Sequence, residues 1–383
     1  MKERKECWHW FHGLYGITQK EKEHLLELCP DVEEWYQRGT EKRTSDILET
    51  VCLETEKQKT RREVIGKILE SEIQREKLNH SYEVLKLKQI NLCSREEAEY
   101  PKRLRTMEYP PFVLYYKGKL PKEEMPSLAV IGARNCSVYG EEIAASFAER
   151  FSDAGIQIIS GMARGIDAAA QRTAIKSDGK SYAVLGSGVD VCYPKENVQL
   201  YEALCEIGGV ISEELPGTQP VSRNFPKRNR LISGLADAVF VVEAREKSGS
   251  LITVSHALEQ GKDIYAVPGR IYERLAEGTN RLIQEGACLV REPEDILMDF
   301  KDKIGKKVGS HMKKTPEIQK KPNLLLETEE KIVYACLSLH PKHVEQICSE
   351  TGFSVSELTS LLFQMELKHY IKQPVKNYYM IQN

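Results

Sequence analysis

The sequence predicts an α/β protein in which helices cover both faces of a mostly parallel sheet, with a helical domain before it and a small helical domain with a terminal hairpin after it. Three observations carry this. Between residues 125 and 300, seven short apolar runs alternate with stretches of helical periodicity. Most of those runs end in Gly or Ser, the residues of a strand-to-helix turn. A lysine-rich segment without apolar periodicity then precedes a compact C-terminal pattern. Near-continuous apolar strands are buried on both faces, which requires a parallel sheet with helices on either side. The central fold is therefore Rossmann-like and doubly wound.

Residues 1–85 are polar, rich in Glu and Lys, and helical in pattern. Within them, Gly13-Leu14-Tyr15-Gly16-Ile17 followed by Glu23-His24-Leu25-Leu26 has the form of a degenerate helix–hairpin–helix. Residues 86–300 make the Rossmann-like domain. Its strands are Leu128–Ile131, Ile156–Ile159, Tyr182–Leu185, Gly209–Ile211, Ala238–Val242, Ile264–Val267 and Cys288–Val290, with a helix exemplified by Glu141–Phe151. Residues 301–322 hold eight Lys against one Asp and one Glu and read as a flexible basic linker. In 323–383, Thr328–Leu339, His343–Thr351 and Ser354–Lys368 read as helices, and Tyr370 to Ile381 as a two-stranded wing, which together make a winged helix. On the last helix Val355, Leu358, Leu361, Leu362 and Met365 are expected to be buried. No cation follows until Lys368, whereas a helix that reads the major groove brings Arg or Lys to it. This domain is expected to contact protein or to regulate.

The 383 residues suit two or three domains, with 41% hydrophobic and 29% charged residues. No apolar run approaches the ~20 residues of a membrane span. The start, MKERKECWHWFHG, lacks the apolar stretch of a signal peptide, so a cytoplasmic, membrane-free protein is expected. Ten cysteines lie singly, without CxxC or metal-ligand spacing, which predicts reduced thiols and no metal. The formal net charge of −2 confines any nucleic-acid footprint to a local patch.

Four Gly-rich turns follow predicted strands, where ligands of open α/β sheets bind. They are Gly132-Ala-Arg134-Asn-Cys-Ser137-Val-Tyr139-Gly140, then Ser160-Gly161-Met-Ala-Arg164-Gly165-Ile-Asp167, then Gly186-Ser187-Gly188, and last Lys247-Ser248-Gly249-Ser250-Leu-Ile-Thr253. Helix N-termini present free N–H groups and partial positive charge, so four of them on one edge predict a phosphate-binding rim. None matches the dinucleotide fingerprint or a Walker A loop, and no cofactor is expected. The stretch Arg223-Asn-Phe225-Pro-Lys227-Arg228-Asn-Arg230 gathers four cations around one aromatic ring. Cations neutralise backbone phosphates, and a Phe face stacks on a base without reading its identity. The structural alternative makes Phe225 a core anchor, with Arg228 or Arg230 paired to Asp237 or Glu243.

In order, GARNCSVYG, SGMARGIDAAAQ, AVLGSGVDVCYP, FPKRNRLISGLADAVFVVEA, KSGSLITVSHALEQGKDIYAVPG and GTNRLIQEGA resemble the signature of the DNA-processing protein A (DprA/Smf) family. Its upstream YPxxL…PP element is matched by Tyr100-Pro101, Leu104 and Pro110-Pro111. The layout resembles members with a sterile-alpha-motif-like N-terminal domain and a winged helix. The first 85 residues fit loosely, with Gly16-Ile-Thr-Gln in place of the usual GIGP hairpin. The resemblance implies a homodimer, formed through the Rossmann-like domain, that binds and protects incoming single-stranded DNA. It also implies loading of the RecA recombinase in natural transformation (competence) and recombination. By matching motifs, Arg134 grips phosphate, with Ser137 and Arg164 beside the rim. Ser160, Gly161, Gly165, Gly186 and Gly188 supply backbone, and Phe225 stacks. Arg223, Lys227 and Arg228 line a basic pocket that Ser248 and Gly249 close.

An enzymatic alternative is the lysine-decarboxylase-like nucleotide phosphoribohydrolases, whose PGGxGTxxE helix carries a carboxylate for glycosidic cleavage. Here KSGSLITVSHALE puts Val254, Ser255 and His256 where that carboxylate belongs, and Glu259 a turn later. Oxocarbenium chemistry needs a carboxylate in contact with the sugar. Binding without catalysis is expected. Asp167 and Asp190 follow Gly-rich turns and are expected to cap helices rather than to hold metal.

Overall fold

The computed structural model describes residues 3–48, 56–301, 328–338, 341–368 and 370–381. Packing divides the chain into two compact units, Met1–Val308 and Gly309–Asn383. The predicted linker 301–322 lies, apart from Lys301, outside the described residues.

The larger unit starts with helices α1 (Arg4–Gly13), α2 (Gln19–Leu28), α3 (Val32–Glu41), α4 (Ser45–Leu48), α5 (Glu56–Leu69) and α6 (Glu72–Leu87). Thr18 starts α2 with a capping box: its side chain accepts the Glu21 N–H, and the Glu21 carboxylate accepts the Thr18 N–H. A polar surface conceals an aromatic core, with Trp8, Trp10, Phe11 and Trp35 fully buried. That core continues into two antiparallel strands, β1 (Asn91–Ser94) and β2 (Val113–Gly118), through Leu92, Phe112, Val113 and Tyr115. Trp8 stacks on Phe112 at 6.2 Å. Residue 85 is therefore a boundary in sequence pattern, while packing runs on across it. The short helix α7 (Lys102–Arg105) lies between β1 and β2.

Seven further strands follow: β3 (Ser127–Ile131), β4 (Gln157–Ser160), β5 (Ser181–Leu185), β6 (Gly209–Ser212), β7 (Ala238–Val241), β8 (Asp263–Ala266) and β9 (Cys288–Leu289). They interleave with α8 (Val138–Asp153), α9 (Ile166–Lys176), α10 (Val198–Ile207), α11 (Asn224–Gly234), α12 (Gly249–Glu259), α13 (Glu277–Gln284) and α14 (Pro293–Leu297). The nine-stranded order is β1-β2-β6-β5-β4-β3-β7-β8-β9. From β6 to β9 every pairing is parallel, and β2 joins β6 antiparallel. All seven predicted apolar runs are strands, and the parallel register follows from their burial on both faces.

Side-chain alternation along β3 shows the double winding. Leu128 and Val130 join the core under α8, α9 and α14, with Phe147, Phe151 and Ile296. Ala129 and Ile131 join the core under α11, α12 and α13, with Leu231, Val254 and Leu282. The chain winds from β3 through β4 and β5 to β6 on one side, and from β7 to β9 on the other. The switch point lies between β3 and β7.

The smaller unit comprises α15 (Thr328–Cys336), α16 (Val344–Thr351), α17 (Val355–Leu367) and a sheet ordered β10 (Lys342–His343), β12 (Tyr378–Ile381), β11 (Ile371–Val375). It is a winged helix around Val333, Ile347, Leu358, Leu362 and Met365. Val355 departs from expectation. At the first turn of α17 it is 61% exposed, because the packed stripe begins only at Leu358. Among the described residues no helix is long and apolar enough to cross a membrane.

His9, fully buried beneath the N-terminal helices, has Nδ1 2.8 Å from the Tyr115 hydroxyl. Burial holds its imidazole down to about 4, against 6.5 for an ordinary histidine. Between those values the unfolded chain binds a proton that the folded chain refuses. Folding stability should thus fall as pH drops from 6.5 towards 4, by up to about 1.4 kcal/mol per pH unit from this group. Urea titrations at pH 7.5, 6 and 5 measure the slope. His9→Gln should reduce it, whatever its stability at pH 7.5, while buried His12, held down to about 3, keeps its own share, and an unchanged slope would exclude His9 as a source.

Candidate functional site

A cavity of about 570 Å³ opens at the carboxyl ends of the parallel strands, astride the switch point. Arg134 and Asn135 reach it from the turn after β3, Ala163 and Asp167 from the turn after β4, and Tyr193 from the loop after β5. The first turns of α11 contribute Phe225, Arg228 and Asn229. Arg245, Lys247, Ser248, Gly249 and Ser250 come from the turn after β7. Four cations thus face one carboxylate, an excess that favours anions.

Phe225 is half-buried and rests on Gly186, where a Cβ would come within 3.0 Å of its Cδ1. The Arg134 guanidinium lies 5.6 Å from the ring centroid and that of Arg228 6.0 Å, within cation–π range. The Tyr193 ring stands 5.5 Å away. Phe225 is thus anchored on one side and open to the cavity on another. It is not wholly the core residue of the structural alternative.

Arg228 is buried at the base of the cavity. Its Nη1 donates to the Gly161 carbonyl at 2.9 Å and to the Val184 carbonyl, while its Nε finds no partner among the described residues. Burial pulls the guanidinium down to about 10, and the nearby Asp167 works against that. The Asp167 carboxyl is raised by its own burial, which outweighs Arg228 and the N–H groups of Gly161 and Ala163 that it accepts. Arg230 is braced, as the alternative required, but through Glu213 at 2.6 Å rather than Asp237 or Glu243. Asp237 instead holds Arg103 at 3.1 Å, and Glu243 accepts the Ser137 N–H at 2.9 Å.

Of the fourteen residues expected at the site, Arg134, Phe225, Arg228, Ser248 and Gly249 line the cavity. The others lie outside its lining, most of them engaged elsewhere. Ser137 caps α8 and donates its hydroxyl to Glu243. Ser160 donates to the Val130 carbonyl at 2.6 Å and ties β4 to β3. The Gly161 N–H, expected on the rim, is taken by Asp167 at 3.0 Å. Arg164 forks onto Glu196, with Nη2 2.9 Å from Oε2, outside the cavity. Gly165 sits at φ +71° where a Cβ would meet the Ala133 carbonyl at 2.3 Å, so it lets two turns close on each other. Gly186 supports Phe225, and Gly188 gives its N–H to the Thr218 carbonyl at 2.9 Å. Arg223 precedes α11, exposed, and Lys227 lies 3.6 Å from both Glu213 and Glu214. Asp190 accepts the Gly217 N–H and pairs with Lys88. His256 faces Glu259 at 3.2 Å on the same helix, and neither lines the cavity. Among the described residues no three His, Cys, Asp or Glu side chains are placed to hold a metal.

Tyr193, Asn229 and Arg245 were not singled out from the sequence. Tyr193 has a signal in the VDVCYP run. Arg245 has none beyond being a cation just before the Ser248 turn.

A family model for DNA recombination-mediator protein A matches residues 91–301, and one for the DprA winged helix domain matches residues 318–373. DNA processing protein DprA of Streptococcus pneumoniae is 43% identical over 201 residues, 52% of this chain and 71% of that protein. DprA of Bacillus subtilis is 35% identical over 263 residues, 68% of this chain and 86% of that protein. The X-ray structure of the S. pneumoniae protein superposes with a TM-score of 0.65 at 32% identity, covering 79% of this chain and 99% of that one. A Helicobacter pylori DprA structure, solved to describe that protein's single-stranded DNA binding mode, superposes with a TM-score of 0.50 at 26% identity, covering 55% and 95%. With the sheet, the winged helix and both family models in agreement, the chain belongs to the DNA processing protein A (DprA/Smf) family.

Proposed function

We propose that this protein binds single-stranded DNA in the cavity at the switch point, without catalysis. As a cytoplasmic homodimer it protects incoming DNA and loads RecA onto it during transformation and recombination. The observation that carries the binding reading is the half-exposed Phe225 ring beside Arg134, in a cavity where Arg134, Arg245 and Lys247 make no ion pair among the described residues. Free cations bind phosphates, and an open aromatic face stacks on a base of any identity. Duplex DNA presents phosphates but covers its base faces. The H. pylori relative's binding of single strands supports the same reading.

Oligo(dT) binding should exceed that of matched duplex and fall roughly tenfold or more between about 50 and 200 mM salt. Arg134→Ala should weaken binding and reduce the salt slope by about one unit. Phe225→Ala should cost about 1–3 kcal/mol and leave the slope unchanged, because stacking releases no counterions. Arg134→Ala should melt like the parent, whereas Arg228→Met should destabilise the fold by about 1–3 kcal/mol by leaving the Gly161 and Val184 carbonyls without their buried donor. Equal affinity for duplex, or indifference to salt, would overturn the reading.

The loading role predicts that the protein sediments as a dimer and speeds RecA filament growth on strands already coated by single-strand-binding protein. No acceleration by a protein that binds the strand would separate binding from loading.

Against phosphoribohydrolase activity, Glu259 lies outside the cavity and is engaged with His256. AMP incubated with the protein should yield no free adenine. Adenine release abolished by Glu259→Gln would restore the enzymatic reading.

A further inference from the structure

Tyr193 lines the cavity with 42% of its surface open, although an aromatic ring gains stability by burial. Collapse inward is prevented by the loop that carries it. Within and around that loop, the Ser187 hydroxyl donates to the Val191 carbonyl at 2.9 Å, and the Tyr201 hydroxyl to the Val189 carbonyl at 2.6 Å. Asp190 accepts the Gly217 N–H at 2.7 Å, and the Asn197 amide donates to the Met162 carbonyl at 3.0 Å. An aromatic held open by its neighbours is pre-organised for contact, and little ordering remains for binding to supply.

The ring geometry indicates the contact. The Tyr193 and Phe225 centroids are 5.5 Å apart with planes inclined at 37°. The two rings are thus neighbours in the cavity wall, tilted rather than stacked in parallel. We propose that Tyr193 is a second base-stacking residue, forming with Phe225 a two-ring platform for the faces of two consecutive unpaired bases. The inference rests on the single-strand reading above and assigns the preference for single strands to a pair of rings. Arg134, Arg245 and Lys247 act on phosphates, which duplex and single strand share. The rings act on base faces, which only an unpaired, unstacked strand presents.

The test is equilibrium binding of the full chain to (dT)12, to a 12-mer of abasic deoxyribose phosphate and to a 12-mer duplex. Tyr193→Leu keeps apolar bulk against Phe225 but offers no planar face, and Tyr193→Phe keeps the face. Tyr193→Leu should weaken (dT)12 binding by roughly five- to hundredfold. Its affinity for the abasic strand, its salt slope and its melting temperature should stay as in the parent. Tyr193→Phe should bind within about twofold of the parent. Parent-like (dT)12 binding by Tyr193→Leu would overturn the proposal. So would equal losses on (dT)12 and the abasic strand, which would make Tyr193 a shaper of the loop alone. A parent protein that fails to prefer (dT)12 over duplex would instead remove the single-strand reading and the platform with it.

Discussion

The end of the sheet is organised around one residue, Gly161. The N–H of Gly161 is held by Asp167, and its carbonyl accepts Arg228. Through the same Nη1, Arg228 reaches the carbonyl of Val184 at the end of β5. A guanidinium carried by α11 thus fixes the ends of β4 and β5, and a carboxylate at the start of α9 balances it. Burying a charge is costly unless it is paired and hydrogen-bonded, so this arrangement stands or falls as a unit. Phe225 is three residues before Arg228 on the same helix, so what fixes Arg228 also aims the ring at the cavity.

Cations from adjacent motif positions therefore serve different ends, and burial and partners sort them. Arg228 is buried and structural, Arg230 is locked to Glu213, and Arg164 is forked onto Glu196. Arg134, Arg245 and Lys247 keep their charge available. A run of basic residues says that positive charge is present. It does not say which side chains can give that charge to a ligand.

The same distinction explains how much was legible in the sequence. The seven parallel strands were readable because burial on both faces makes each a near-continuous apolar run. The antiparallel strands β1 and β2 were not, since Asn91–Ser94 is short and Val113–Gly118 ends in polar and small residues. Their partners are the buried aromatics of the N-terminal helices, which the surrounding Glu and Lys conceal. In the site, Arg134, Ser248 and Gly249 follow strand ends within recurrent motifs, and Phe225 stands in the basic stretch that opens α11. Ser160, Gly161, Gly165 and Gly188 occupy the same kind of motif, yet their polar groups or their lack of a side chain serve the packing of turns. Sequence spacing is alike for both uses, and only the third dimension separates them. Tyr193 stands in the VDVCYP run, whereas Arg245 belongs to no recurrent spacing and becomes visible only when loops distant in sequence share a cavity.

Helix N-termini illustrate the point physically. Each offers unsatisfied N–H groups and partial positive charge, and so attracts an anion. At α8 the protein supplies its own: Glu243 accepts the N–H and hydroxyl of Ser137. At α9 the first-turn Asp167 turns back onto Gly161 and Ala163. α11 and α12 carry no acidic residue in their first turns, and both face the cavity. Two of the four predicted anion positions are thus filled from within, which ties the turns together and makes the sheet edge rigid. The N-termini of α11, which was not among the four predicted turns, and of α12 are left open beside Phe225 and Arg134, so the unmet electrostatic demand is concentrated around one aromatic ring. A polyanion that also carries flat apolar faces satisfies both demands together, whereas a simple anion satisfies only the first.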